Sequence, residues 1–67
     1  MERWETIDAA LDFAIAREIE SHDFYMDLAS RMENEAMAEV FSGFAAEEDG
    51  HRRKLESVKS GQFGDVT

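Results

Sequence analysis

The chain has 67 residues, no cysteine, no proline and a net charge of −9 from 16 acidic and 7 basic side chains. Without cysteine there can be no disulfide, thiolate zinc site or iron–sulfur cluster. The negative charge argues against phosphate-bearing partners, so we expect neither nucleic acid nor anionic membrane to bind, whereas cations are attracted. A chain this short rarely encloses its own core, which leaves metal binding or association with a second subunit as the source of stability.

The chain is expected to form one domain over residues 1–67. No apolar run approaches the roughly 18 residues of a membrane span, and residues 1–5 contain no apolar signal-peptide core. These features predict a cytoplasmic protein. Enclosure of the protein inside a larger protein compartment is left open.

The first predicted element is a helix over about residues 6–31. Thr6 is a suitable N-cap, and Asp8 favours the helix dipole in the first turn. Steps of four and three define a row of residues facing inward. This first inward row is Ile7, Leu11, Ala14, Glu18, Ser21, Tyr25, Leu28 and Met32.

The second predicted helix covers about residues 35–60 and is followed by a short tail, residues 61–67. Asn34 can cap its start, Lys59 favours its C-terminal dipole, and Gly61 is the expected stop. The second inward row is Met37, Phe41, Phe44, Glu48, His51, Leu55 and Val58. Each inward row is therefore interrupted by a glutamate, where hydrocarbon would be expected.

The two interruptions lie at the same height. A connection of a few residues predicts an antiparallel hairpin, in which Glu18, Glu48 and His51 all stand about 22–26 Å from the turn. A buried carboxylate without a partner is costly and normally neutralises, pairs or binds a metal. The rows are therefore predicted to share a metal ion. Oxygen and imidazole donors without thiolate suit iron, manganese or zinc.

The apolar face of each helix is wider than a two-helix hairpin can cover. The residues that widen it are Ile15, Ile19, Met26, Ala29, Val40 and Ala45. Two hairpins packed face to face would make a four-helix bundle, most simply with two-fold symmetry, so a homo-oligomer (dimer or higher) is predicted. Such a dimer contains Glu18, Glu48 and His51 twice. Four carboxylates and two imidazoles are the ligand inventory of ferritin-like di-iron and di-manganese proteins.

Two segments carry a family resemblance that covers about residues 6–60. Residues 14–20 (AIAREIE) are followed by Phe24-Tyr25, and residues 40–51 (VFSGFAAEEDGH) end in a Glu-x-x-His motif. The chain resembles the ferritin-like superfamily, specifically a single rubrerythrin-like repeat. The resemblance implies a non-haem di-iron centre that reacts with oxygen or peroxide. Glu18 and His51 would be terminal ligands and Glu48 would bridge the metals, with manganese or zinc as alternatives to iron.

The chain differs from the rubrerythrin pattern in ways that affect which activity is expected. Rubrerythrins carry two repeats and a cysteine-rich rubredoxin domain, whereas this chain has one repeat and no cysteine, which disfavours a self-contained peroxidase. Ser21 stands where the second rubrerythrin repeat has an extra carboxylate. Encapsulated ferritins, which build the site between single-repeat subunits, are the nearer pattern, although the tail does not support targeting to an encapsulin shell. Fe(II) oxidation, serving iron storage or detoxification, is therefore the expected function.

Several alternatives stay open at this point. Tyr25 is assigned a catalytic role with Glu48, through a hydroxyl that would hydrogen-bond a ligand carboxylate, but it can equally fill the core. Glu47 is interpreted as a surface residue or an outer partner of the ligands. His22 is interpreted in the same way, with a direct metal ligand as the less favoured alternative. The protein could instead be a non-catalytic helical oligomerisation module with a structural metal, or the N-terminal half of a longer rubrerythrin-like protein.

Overall fold

The protein is a two-helix hairpin in the computed structural model, which describes residues 6–61. Helix α1 spans Ile7–Arg31 and helix α2 spans Glu35–Lys59, with 25 residues each. The helices run antiparallel, since Lys59 Nζ near the end of α2 lies 3.4 Å from Asp12 Oδ1 near the start of α1. Within the described residues, neither helix is long and apolar enough to cross a membrane. The predicted tail lies outside the described range except for Gly61.

Local capping explains where both helices begin. The Thr6 hydroxyl accepts a hydrogen bond from the Ala9 amide at 3.0 Å, and Asn34 Oδ1 accepts one from the Met37 amide at 2.9 Å. Each bond satisfies a backbone donor that has no partner inside the helix. The predicted caps and helix bounds are thus confirmed to within one residue.

The end of α2 also follows the sequence prediction. Ser60 caps the helix, and Gly61 adopts a φ of +83°. Positive φ is readily available to glycine because it has no Cβ, so the residue fits its role as the helix stop.

The first predicted inward row faces α2 almost as expected. From Leu11 to Met32 its members are all half-buried, and only Ile7, at the start of the helix, is exposed. The pattern of apolar residues along α1 therefore predicted its packing face correctly.

The second inward row needs correction, because α2 is rotated relative to the prediction. Ala45 is 1% exposed and Arg52 is half-buried, while Met37, Phe44 and His51 face outward. A single neighbouring helix covers only one narrow stripe of α2. Phe41, Glu48, Leu55 and Val58 remain half-buried on that stripe.

A large apolar surface is left uncovered in the single hairpin. The structure is 13 Å along its shortest axis, close to the diameter of one helix layer. Large apolar side chains remain 41–58% exposed: Ile7, Phe13, Ile19, Phe24, Met26, Met37, Val40 and Phe44. A single neighbouring helix therefore leaves much of the apolar surface of both helices open to solvent.

The Asn34 cap provides a test of the hairpin turn. Replacing Asn34 with Ala should lower the free energy of unfolding by about 1 kcal/mol, because the Met37 amide loses its acceptor. Urea unfolding followed by circular dichroism, at one fixed protein concentration, would measure the change. Asn34→Asp restores an acceptor and should recover most of the loss. Equal loss in both variants would contradict the capping role.

Candidate metal centre

Glu18 projects from the middle of α1 towards α2 and is only 24% exposed. Its Oε2 atom is buried and has no hydrogen-bond partner among the described residues. His51 Nδ1 lies 3.5 Å from this oxygen without forming a hydrogen bond to it. A buried carboxylate oxygen without a donor loses its hydration without compensation. The position therefore favours a cation.

Glu48 and His51 complete the group from α2. They stand three residues apart, which puts both side chains on one helix face, and His51 Nδ1 lies 3.0 Å from Glu48 Oε1. With its hydrogen on Nδ1, the imidazole donates to the carboxylate. His51 is 56% exposed, whereas Glu48 is 22% exposed. The imidazole is therefore open to the outer surface of the hairpin.

The three side chains fit a metal ion. One ligand atom from each of Glu18, Glu48 and His51 lies within 4.8 Å of the other two. Nitrogen and oxygen ligands about 2.0–2.2 Å from a common ion are at most about 4.4 Å apart. Small side-chain rotations would close that difference. Two carboxylates and an imidazole also match the donor preferences of iron, manganese and zinc.

Neighbouring acidic residues are neutralised by arginines instead. Asp49 Oδ1 accepts hydrogen bonds from Arg52, the shorter at 2.7 Å, and Asp49 Oδ2 lies 2.9 Å from Arg53. The hydrogen bond from Arg52 lowers the pKa of Asp49, and the same bond raises the pKa of Arg52. Asp49 is thereby held as a paired carboxylate. Within residues 6–61, Glu18 and Glu48 have only His51 as a charged partner.

Tyr25 belongs to an aromatic cluster beside the candidate metal group. Its ring stacks on Phe41 with centroids 6.2 Å apart and meets Phe24 and Phe44 edge-to-face at 5.4 and 5.3 Å. Such pairs stabilise beyond the area they bury. Tyr25 also lines an open cavity together with Phe44, Glu47 and Glu48. Tyr25 thus fills the inward row and borders the metal ligands at the same time; its catalytic role stays a prediction.

Two residues that the sequence left open now have locations. His22 Nδ1 lies 3.2 Å from its neighbour Asp23 and is outside the group of three ligand atoms. Glu47, interpreted from sequence as a surface residue or an outer partner of the ligands, is exposed and lines the cavity beside Glu48. Its position three residues after Phe44 and next to Glu48 is the sequence signal that could have suggested this.

Comparison with known proteins identifies the family to which the chain belongs. A family model described as Rubrerythrin matches residues 9–67. No curated protein and no solved structure matches the chain significantly. The matched region contains both helices from Ala9 onward and all three members of the candidate metal group. Proteins of this family typically bind iron, which agrees with the oxygen and imidazole donors described above. The chain belongs to the rubrerythrin family.

Proposed function

We propose that this protein binds Fe(II) at a di-iron carboxylate site and oxidises it with oxygen or peroxide. The observation that carries the proposal is the buried Glu18 Oε2, which lacks a hydrogen-bond partner in the described chain and lies beside Glu48 and His51. The charge of −9 supports it by drawing cations towards the protein.

The site is completed by a second copy of the chain. One hairpin offers three ligand residues, fewer than two metal ions need. Met37, Phe44 and His51 are seven residues apart and therefore share one face of α2, and all three are exposed. A partner that covers this face by two-fold symmetry would bring its own Glu18, Glu48 and His51 to the same place. The result is a four-helix bundle with its metals between subunits.

The proposed roles of the side chains are those that the resemblance to rubrerythrins implies. Glu48 would bridge the two ions, with Glu18 and His51 as terminal ligands. The proton that His51 Nδ1 shares with Glu48 would give way to the cation, because imidazole must be unprotonated to bind metal. Each bound Fe(II) supplies one electron to the oxidant. The aromatic cluster around Tyr25 would hold the ligand-bearing helices in register and shield the site from bulk water.

A second candidate function is a helical oligomerisation module in which the metal is only structural. The extent of exposed apolar surface favours it, because that surface alone is sufficient reason to associate. Metal binding without Fe(II) oxidation would distinguish this function from the first. Neither function requires a particular cellular role or setting. Four further proposals therefore stay separate from both: iron storage or detoxification, a cytoplasmic location, an encapsulin shell and a longer two-repeat protein.

The first expected result concerns assembly. The purified protein should have a mass at least twice the 7.6 kDa of one chain, because a partner would bury the exposed face around Phe44. Light scattering across micromolar concentrations would measure it. Phe44→Glu should shift the mass towards that of one chain, since it places a charge in the interface. A mass of 7.6 kDa for the parent protein at every concentration would contradict the four-helix bundle.

Metal should stabilise the assembly, because Glu18 and Glu48 repel each other without a cation. At a free metal concentration about 100 times the dissociation constant, binding adds roughly 2.7 kcal/mol. For a domain of this size that corresponds to a rise of about 10 °C or more in melting temperature. Thermal melts with and without Mn(II) or Zn(II), or with Fe(II) under argon, would measure it. Glu48→Ala should abolish the rise, and an unchanged melting temperature in the parent protein would argue against a metal site.

Iron oxidation should depend on the three ligands. Replacing Glu18, Glu48 or His51 with Ala should slow Fe(II) oxidation by more than about tenfold, since even losing a partner of a ligand costs about 10–100-fold. Glu48→Ala should be the most damaging because it would serve both ions, while His51→Ala should leave a weaker site of oxygen ligands. Stopped-flow absorbance of ferric species would report the rates.

Glu20→Ala is the matched control for these variants. Glu20 lies on α1 two residues from Glu18, but it is exposed and paired with Arg17 at 3.6 Å. Its replacement should leave the oxidation rate within about twofold of the parent, as expected for an exposed ion pair of small energy. A Glu48→Ala protein that oxidised iron as fast as the parent would show that the site is wrongly assigned.

A further inference from the structure

The turn of α2 that carries two candidate ligands contains a glycine. Gly50 stands between Glu48 and His51 in the sequence, and α2 continues through it without interruption to Lys59. Glycine is a poor helix former because its backbone loses more conformational freedom than that of any other residue. Glu48 and His51 share a helix face only while this turn is helical. The order of the turn therefore decides whether both side chains can reach one ion.

An ion-pair network covers the same part of α2. Arg52 donates two hydrogen bonds to Asp49 Oδ1, from Nε at 3.1 Å and from Nη2 at 2.7 Å. Its Nη1 donates to Glu56 Oε1 at 2.6 Å, and Arg53 Nη2 lies 2.9 Å from Asp49 Oδ2. One guanidinium therefore connects two successive turns of the helix, from Asp49 to Glu56.

The Asp49–Arg52 pair spans Gly50. It has the same three-residue spacing as Glu48 and His51, displaced by one position along the chain. An oppositely charged pair at this spacing stabilises the helical turn that it bridges. Asp49 and Arg52 are 29% and 26% exposed, so solvent screens their attraction less than that of a fully exposed pair. The pair thus strengthens the turn at the residue that weakens it.

This network lies away from the proposed subunit interface. Successive residues of a helix are about 100° apart, which puts Asp49 and His51 on nearly opposite sides of α2. Arg52 is seven residues from the buried Ala45 and therefore shares the side that faces α1. A partner subunit that covers Phe44 and His51 would leave these ion pairs intact.

We propose that Arg52 is a positioning residue that keeps the turn around Gly50 helical, so that Glu48 and His51 face one metal ion. This role rests on the proposed function, since it takes both side chains as metal ligands. Arg52 acts through the backbone of the turn and binds no metal. Its positive charge by itself repels a cation, so any affinity that it adds comes from the order of the turn.

The test uses Arg52→Lys on the full chain. This change keeps the charge, but an ammonium cannot hold Asp49 and Glu56 together as a planar guanidinium does. In the metal-free protein, amide hydrogen exchange of residues 51–54, whose helix hydrogen bonds cross this turn, should accelerate about threefold. Calorimetry with Co(II), without oxygen, should show an affinity lower by about the same factor. The stoichiometry and the absorption spectrum of bound Co(II) should not change, because the ligands are the same.

Gly50→Ala provides the rescue. Alanine is a much better helix former than glycine, and a Cβ at position 50 meets nothing within 4 Å in the described chain. Adding it to Arg52→Lys should therefore return both the exchange rates and the Co(II) affinity to those of the parent or better. A variant that had lost only a contact or a charge effect of Arg52 would gain nothing from a methyl group at position 50.

Arg31→Lys is the matched control. It makes the same substitution at an arginine that pairs with Asp27 at 2.9 Å, at the end of α1 near the hairpin turn. It should leave the exchange of residues 51–54 and the Co(II) affinity within about 1.5-fold of the parent.

Three results would overturn the positioning role of Arg52. The first is Arg52→Lys that matches Arg31→Lys in exchange and affinity. The second is faster exchange with unchanged or tighter Co(II) binding, because the turn would then be ordered without serving the ligands. The third is failure of Gly50→Ala to restore affinity.

The outcome for Arg52 is separable from the outcome for the proposed function. A parent protein that binds no Co(II) would contradict the metal site, while exchange in the metal-free protein still decides whether Arg52 orders the turn. A parent that oxidises Fe(II), with Arg52→Lys indistinguishable from Arg31→Lys, would remove the positioning role alone.

Discussion

The meeting of two carboxylates from different helices at one height is the constraint around which this hairpin is organised. Glu18 and Glu48 both occupy the interface between α1 and α2, where each displaces an apolar side chain that would otherwise contribute to packing. Their mutual repulsion is relieved only partly by His51, which contacts both at 3.5 and 3.0 Å. The arrangement lowers the intrinsic stability of the hairpin, and a cation bound between the two carboxylates would relieve the repulsion.

The surroundings of the site direct that affinity to these residues. Arg52 and Arg53 neutralise Asp49, immediately after Glu48 in the chain, so it does not compete as a third carboxylate. On the other side of Glu48 the aromatic cluster around Tyr25 supplies rigid apolar packing without charged groups. Glu48, flanked by a paired aspartate and by aromatic rings, has His51 as its only ion-pair partner within residues 6–61. The negative charge of Glu48 therefore remains available to bind a cation.

The thin hairpin leaves part of its apolar surface uncovered on the side that carries His51. A layer 13 Å thick buries Ala45 but leaves Phe24, Phe44 and His51 exposed. A fully enclosed metal site needs more ligands and more shielding than two helices can supply. Metal binding and subunit association would then favour each other, because the exposed apolar surface around Phe44 also carries the exposed imidazole of His51. This coupling would let a chain without disulfides and with a small core adopt a defined structure.

The sequence by itself determined the two helices, their caps at Thr6 and Asn34, and the level at which Glu18 meets Glu48. These features depend on local hydrogen bonds and on the fixed rise of a helix, both of which are encoded by neighbouring residues. Sequence did not determine how α2 is rotated about its axis. Its apolar stripe is wider than one neighbour can cover, so periodicity allowed either Phe44 or Ala45 to face α1. In the folded hairpin Ala45 faces α1, because its small side chain lets the helices approach closely. Arg52, on the same side of α2, pairs with Asp49 at 2.7 Å. That rotation turned Phe44 and His51 outward and brought Glu47 into the wall of the cavity, which only the contact between the helices could decide.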